Sequence, residues 1–279
     1  MEKDRLYMNE IITITTDFGL KDHYSGALKG AILSVNPQAR IVDITQLIAP
    51  GAISEGAFVL AHSCRYFPRG TVHLAVVDPG VGSSRRPILI ETEDYSFVGP
   101  DNGIFSRAIE SEKILRVIHL TDGSYFRKDV SATFHGRDIF GPVAAHLTLG
   151  AKPSMFGPEI TDPVIIGRKT PLLKDGVVAG TVIYVDRYGN LVTDIRAESI
   201  ADLGPQVETS INGHLIRGVK RSYSYCEPRT PSLIIGSTGL LEIAIDSEDA
   251  SQALGVETGE RVVVRQASLD GGPERQGGL

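Results

Sequence analysis

The stretch Thr71 to Arg86, TVHLAVVDPGVGSSRR, sets an acid at the end of an apolar run and two bases shortly beyond it. Val72 to Val77 reads as a buried strand, Asp78 follows, a Pro-Gly-Val-Gly turn comes next, and Arg85 and Arg86 close the segment. A carboxylate facing a guanidinium can orient a water, accept its proton or hold a polar ligand. Two more strand ends share the layout: Asp17 after Ile11 to Thr16, IITITT, and Asp101 in the turn Gly99-Pro100-Asp101-Asn102-Gly103. His135, in Phe134-His135-Gly136-Arg137-Asp138, stands near the start of an apolar helix, where exposed N–H groups favour anions. Three carboxylates, an arginine and a histidine that could share one face would also suit a divalent metal and phosphate hydrolysis. Against that reading, no H-x-H, D-x-D or H-E-x-x-H pairing is present, and a dinucleotide fingerprint, a Walker lysine and a G-x-S-x-G elbow are missing. Metal-free polar chemistry on a neutral or cationic ligand stays open.

Elements of alternating type must position these groups. Strands are expected over Ile11–Thr16, Arg40–Thr45, the Thr71 run, Ile88–Glu91, Tyr95–Val98 and Ile114–Leu120. Helices are expected from Asp22, as cap, to Val35, over Ser54–Phe67, over Ile104–Ile109 and over Ile139–Leu149. Continuous apolar strands alternating with helices predict an α/β domain with a mostly parallel, layered sheet, and ligands bind beyond the carboxyl ends of such strands. Prolines 153, 158, 163 and 171 mark a change of texture, after which the helical signal largely vanishes. Short strands flank Asp186-Arg187-Tyr188-Gly189-Asn190, Asn212-Gly213-His214 and Gly236-Ser237-Thr238-Gly239, which predicts an all-β, barrel-like second domain. The expected organisation is an α/β domain over 1–170, a β domain over 171–267 and a polar, disordered tail over 268–279.

The chain has 279 residues, with 42% hydrophobic and 22% charged content, enough for packed cores. A net charge of -6 argues against nucleic acid or an anionic membrane as partner. The start, MEKDRLYMNE, has no apolar signal core, and no apolar run approaches the ~20 residues that span a bilayer. Cys64 and Cys226, the only cysteines, lie in no metal-ligand spacing, and a reducing cytoplasm is the expected compartment.

Five motifs in order, TTDFG at Thr15, VVDPGVGSSRR at Val76, GPDNG at Gly99, FHGRDIF at Phe134 and VDRYGN at Val185, make the chain resemble the S-adenosyl-L-methionine hydroxide adenosyltransferase family. That family is related to fluorinases and chlorinases. The resemblance runs from about Ile11 to Val264 and implies an α/β domain followed by a β-barrel domain. It implies trimers with sites between subunits, and hydrolysis of S-adenosyl-L-methionine to adenosine and methionine without metal or cofactor. Carried over by motif, Asp78, Arg85 and His135 would form a water-activating triad, with Arg86 the competitor for the arginine role. Asp17 would hold the ribose hydroxyls, Asp186 the methionine ammonium, Asn190 the adenine edge, and Ser237 with Thr238 the methionine carboxylate. Glu242 and the Ile245 backbone would lie near the adenine. Without the resemblance, Asp186 and Asn190 read as hairpin-turn residues, and Glu242 also reads as a solvated strand residue. Halogenating relatives tend to carry Tyr in place of Asp78, and fluorinases Ser in place of Gly136; a carboxylate would repel a halide, so Asp78 favours water as nucleophile. The alternatives are a halogenase using chloride and a metal-dependent phosphohydrolase.

Overall fold

The computed structural model describes residues 9–167, 171–204 and 206–267. The charged start, 1–8, and the tail expected to be disordered, 268–279, lie outside the described residues. Two compact units are present, one ending at Gly167 and the other following it.

The first unit is built on β1 (Ile11–Thr16), β2 (Arg40–Thr45), β3 (Val72–Val76), β4 (Pro87–Thr92), β5 (Ser96–Pro100), β6 (Ile114–His119) and β7 (Glu159–Ile160). They form one sheet in the order β2-β1-β3-β5-β4-β6-β7. The β-branched run of β1 and the apolar run of β3 are buried on both faces, as central strands require. Successive residues of β3 and its extension feed separate cores: Leu74 and Val76 pack with Leu28, Ile32, Val143 and Phe140, whereas Ala75 and Val77 pack with Leu60, Phe97, Ile104 and Phe105. Helices α1 (Tyr24–Val35) and α3 (Gly141–Thr148) cover the first face, and α2 (Ile53–Ser63) supplies Leu60 to the second.

Three expectations need correction. The sheet is mixed rather than mostly parallel: β1, β2, β3 and β5 run parallel, but β4 pairs antiparallel with β5 and β6, and β6 with β7. The few residues between β4 and β5 close a hairpin, with Thr92 N–H donating to Tyr95 O at 2.8 Å; a parallel neighbour needs a crossover of about a dozen residues. The segment 104–109 forms turns instead of a helix, with Ser106 N–H donating to Gly103 O and Ile109 N–H to Phe105 O, each at 3.0 Å. Asp22 does not cap α1: His23 is the capping position, without a side-chain bond.

The second unit contains β8 (Leu172–Lys174), β9 (Val177–Val185), β10 (Leu191–Arg196), β11 (Val207–Ile211), β12 (His214–Arg217), β13 (Val219–Lys220), β14 (Pro231–Ile235), β15 (Leu240–Ile245) and β16 (Arg261–Gln266). The path β12-β11-β16-β9-β10-β15-β14-β13 curls so that β12 approaches β14, a nearly closed, barrel-like sheet around Val178, Leu191, Leu233, Leu241 and Val262. Two one-turn helices, α4 (Ala197–Ala201) and α5 (Ala250–Leu254), interrupt it. Among the described residues no helix is long and apolar enough to cross a membrane.

Candidate active site

In the first unit, three segments deliver polar groups to one cavity of about 330 Å³, lined by Asp17, Phe18, Asp78, Val81, Thr133 and His135 among others. Asp17 and Asp78 stand just beyond the ends of the parallel strands β1 and β3, where such sheets place ligands. Asp17 is oriented by the Gly51 N–H, which donates to its Oδ2 at 2.9 Å.

Asp78 and Arg85 are held together by the turn between them. Ser83 N–H donates to Gly80 O at 3.1 Å and Ser83 Oγ–H to the same oxygen at 2.7 Å, folding the loop back on itself. Gly82 adopts a left-handed backbone, φ 78°, and a Cβ there would run into the Ala132 carbonyl. Arg85 then grips Asp78 in a fork: Nε donates to Oδ1 at 3.1 Å and Nη2 to Oδ2. The side chains are 5% (Asp78) and 7% (Arg85) exposed. Arg85 also lies over the Phe140 ring, 5.4 Å from its centroid.

The same Nη2 donates to His135 Nδ1 at 3.1 Å. Arginine has only donors, so Nδ1 is the accepting nitrogen and a neutral ring carries its hydrogen on Nε2. Burial, and then the Arg85 charge, push the His135 pKa below the usual imidazole range, with Asp78 and Asp138 opposing. The ring is therefore neutral at pH 7.

The competition between the adjacent arginines is resolved by geometry. Arg86 turns the other way, donating through Nε to Asp101 Oδ2 at 2.8 Å and through Nη1 to Asp162 Oδ1 at 2.9 Å. Asp101, which the strand-end pattern grouped with Asp17 and Asp78, is buried in this bridge and accepts the Val164 N–H at 2.7 Å. It ties down the proline-rich stretch and does not line the cavity. Among the described residues no three His, Cys, Asp or Glu side chains are grouped to hold a metal ion.

In the second unit, Asp186, Asn190 and Ile245 line a separate cavity of about 590 Å³ with Tyr188, Tyr223 and Cys226. Asp186 Oδ1 accepts the Tyr188 N–H at 2.8 Å and the Asn190 N–H at 2.9 Å, and Oδ2 accepts an Asn190 amide hydrogen at 2.9 Å. The turn that positions Asp186 is thus built on its own carboxylate. Glu242 is buried on β15, not solvated; Tyr223 O–H donates to its Oε2 at 2.8 Å. Burial raises the Glu242 pKa, with Asp186 adding to it, and Tyr223 is pushed up by burial and by Glu242. A Cβ at Gly236 would collide with the Glu242 carboxylate, which explains glycine at the start of that turn. Ser237 sits exposed on the Gly236-to-Gly239 turn and Thr238 half-buried beside it; neither lines the 590 Å³ cavity. Tyr223 was not marked by the sequence pattern, and nothing in its spacing distinguishes it from a surface tyrosine.

Family models described as the SAM hydroxide adenosyltransferase N-terminal and C-terminal domains match residues 12–157 and 180–263. A relative from Salinispora tropica, named (R)-S-adenosyl-L-methionine hydrolase, is 37% identical over 91% of this chain and 97% of its own. A fluorinase from an Actinoplanes species is 23% identical, over 93% of this chain and 98% of its own. The fold matches a crystal structure of an uncharacterized conserved protein from Thermotoga maritima with a TM-score of 0.86 and 34% identity, covering 91% of this chain and 99% of that one.

Proposed function

The chain belongs to the SAM hydroxide adenosyltransferase family, and we propose that it hydrolyses S-adenosyl-L-methionine to adenosine and L-methionine. The observation that carries this reading is the Asp78–Arg85–His135 chain at the edge of a cavity that Asp17 also lines. The leaving group is a sulfonium that departs as a neutral thioether, so the reaction needs no acid behind it. It needs a water held in line with the carbon–sulfur bond.

A water between the two residues would donate to the Asp78 carboxylate and accept from the Nε2–H of neutral His135. As its oxygen bonds to the ribose 5′ carbon, the carbon–sulfur pair leaves with methionine, and the water's proton passes to Asp78 and on to solvent. Arg85 fixes the direction of both partners. Asp17 has Oδ2 occupied by the Gly51 N–H, and Oδ1 is suited to accept from the ribose hydroxyls.

The unit after residue 170 would supply the remaining contacts, in a homotrimer whose sites lie between subunits. Asn190 commits one amide hydrogen to Asp186 and keeps a hydrogen and its carbonyl oxygen for the donor–acceptor edge of adenine. Asp186 would meet the methionine ammonium, Ser237 with Thr238 the methionine carboxylate, and Glu242 and the Ile245 backbone would flank the adenine. The step uses no metal or cofactor in this reading.

The halogenase reading is disfavoured by Asp78, whose charge opposes a halide, and by Gly136, where a Cβ would stand 3.0 Å from the Phe18 ring. The deciding assay is incubation with S-adenosyl-L-methionine in halide-free buffer containing a chelator. Adenosine and methionine in equal amounts are expected. No adenosine from folded protein overturns the proposal; a 5′-chlorinated nucleoside on adding chloride supports the halogenase, and hydrolysis of phosphate esters with added metal, in place of S-adenosyl-L-methionine, the phosphohydrolase. Sedimentation of the purified protein tests the trimer.

A further inference from the structure

Asp138 is completely buried three residues after His135, just before the apolar pair Ile139-Phe140, and the chemistry above makes no use of it. It takes donors from three directions. Arg137 Nε reaches Oδ1 at 2.7 Å and Nη2 reaches Oδ2 at 2.8 Å; the Ser131 N–H reaches Oδ2 at 2.9 Å; Arg127 Nε lies 3.3 Å from Oδ1. The Arg127 N–H also donates to the Asp138 carbonyl at 2.9 Å. These bonds staple the segment before His135 onto the turn after it.

That turn is a π-helix, Gly136–Phe140, with His135 at its capping position and the Gly141 N–H closing onto Gly136 O. Such wide turns are rare and concentrate at functional sites. The stapled segment packs against residues near each acid of the cavity's rim. Its Ala132 carbonyl is the group against which Gly82 is packed, within the loop that separates Asp78 from Arg85. Its Phe134 packs edge-on against Phe18, centroids 5.6 Å apart, beside Asp17, and Arg137 lies over the same Phe134 ring at 4.8 Å. His135 itself is the next residue.

We propose that Asp138 is a positioning residue for the Asp78–Arg85–His135 group: one buried carboxylate fixes the segment that aims His135 and braces the Asp78–Arg85 loop. The proposal rests on the hydrolase reading of that site. It also gives Asp138 an electrostatic role, because it is an anion acting on His135 from its own helix. The charged groups facing His135 are Arg85 and Asp78 from the loop after β3, and Asp138; Arg127 and Arg137 neutralise Asp138 in turn. Removing the Asp138 charge leaves the Arg85 cation less opposed, so the imidazole titrates at lower pH.

The test is Asp138→Asn, which keeps shape and loses charge, assayed for adenosine release with a separate titration of ring-labelled histidine followed by NMR. The His135 signal is assigned by its loss in His135→Gln. The expected results are a fall in kcat of about 100-fold, the scale for misplacing a catalytic group by about 1 Å, with KM little changed, and a downward shift of the His135 titration. Arg137→Gln, at a partly exposed position, removes two of the donors and is expected to lower kcat less, again at constant KM; it decides the matter if Asp138→Asn fails to fold. Folded variants with parental kcat and an unmoved His135 titration overturn the proposal. So does a variant that loses kcat and KM together with an unmoved titration, which marks a role in the fold alone. The titration is read without substrate, so it reports on Asp138 even if the parent releases no adenosine, an outcome that would sink the hydrolase reading.

Discussion

The two polar clusters of this molecule are held in opposite ways. In the first unit Arg85 bonds an acid seven residues back and a histidine fifty residues on. In the second, Asp186 spends its carboxylate on groups two and four residues away, inside its own turn. Local bonds of the second kind are what any tight turn needs, whereas the Arg85–His135 bond links side chains from two different segments and closes no turn. The difference separates a cluster whose charges we propose serve chemistry from one whose charges first serve the fold. It predicts that substitutions in the first cluster strike turnover by orders of magnitude, whatever they cost in stability, whereas those in the second strike stability and binding and leave turnover largely intact.

Asp78→Asn is the strongest test. It keeps the size and an acceptor for Arg85 while removing the proposed base, and kcat is expected to fall by about 100- to 10,000-fold, the range for losing a general base. The Arg85 cation loses its buried counter-charge, so the thermal midpoint is expected to fall as well, and turnover is compared at a temperature where the variant is folded. A variant that retains most of its turnover would break the contrast at its root.

Arg85→Met comes next. Both partners of the pair are almost fully buried, so removing the cation leaves the Asp78 charge uncompensated, at a cost of about 3 kcal/mol. Chemical denaturation should register that loss, and turnover should fall with it because His135 loses its orienting donor. Unchanged stability would mean that Asp78 finds another partner and that Arg85 is not the hub of the cluster.

The sequence made part of this contrast visible in advance. Runs such as IITITT and VHLAVV can be little else than buried strands, so the acids at their ends were legible as candidates for one crevice. What stayed hidden was everything decided by partners distant in the chain. Arg85 and Arg86 look alike as neighbours; Asp162, which claims Arg86, is 76 residues away in a stretch without a strand or helix signal. Asp101 was grouped with Asp17 and Asp78 for the same reason, since a strand-end pattern does not say which acid is already paired. The direction of β4 depended on a hairpin only a few residues long, and apolar runs read alike in parallel and antiparallel strands. Asp138 and Arg137 stand side by side in FHGRDIF, but the pattern does not say that Ser131 and Arg127, outside it, complete the cluster.

Asp186→Ala tests the other side of the comparison. Losing the acceptor for two turn N–H groups should cost about 1 kcal/mol, as at other side-chain caps, without touching the Asp78–Arg85 pair. Differential scanning calorimetry reads the stability loss, and steady-state kinetics should show KM rising more than kcat falls. A fall in kcat as large as that of Asp78→Asn would place Asp186 in the chemistry and erase the distinction.

Glu242→Gln carries the smallest expected effect and the sharpest sign. Burial, reinforced by Asp186, raises the Glu242 pKa above its unfolded value near 4.5, while the bond from Tyr223 opposes the shift. The folded protein therefore holds this proton in a window where the unfolded chain has released it, so the contribution to stability is largest at low pH and declines as pH rises through the raised value. Glutamine mimics the protonated acid and still accepts from Tyr223 O–H. The variant should match the parent below pH 4.5 and lose less stability than the parent above it, with kcat preserved. Melting curves across that range decide the point: a variant less stable than the parent at neutral pH would show that the Glu242 charge is compensated in the fold, and that the second cluster, like the first, is organised around an ion.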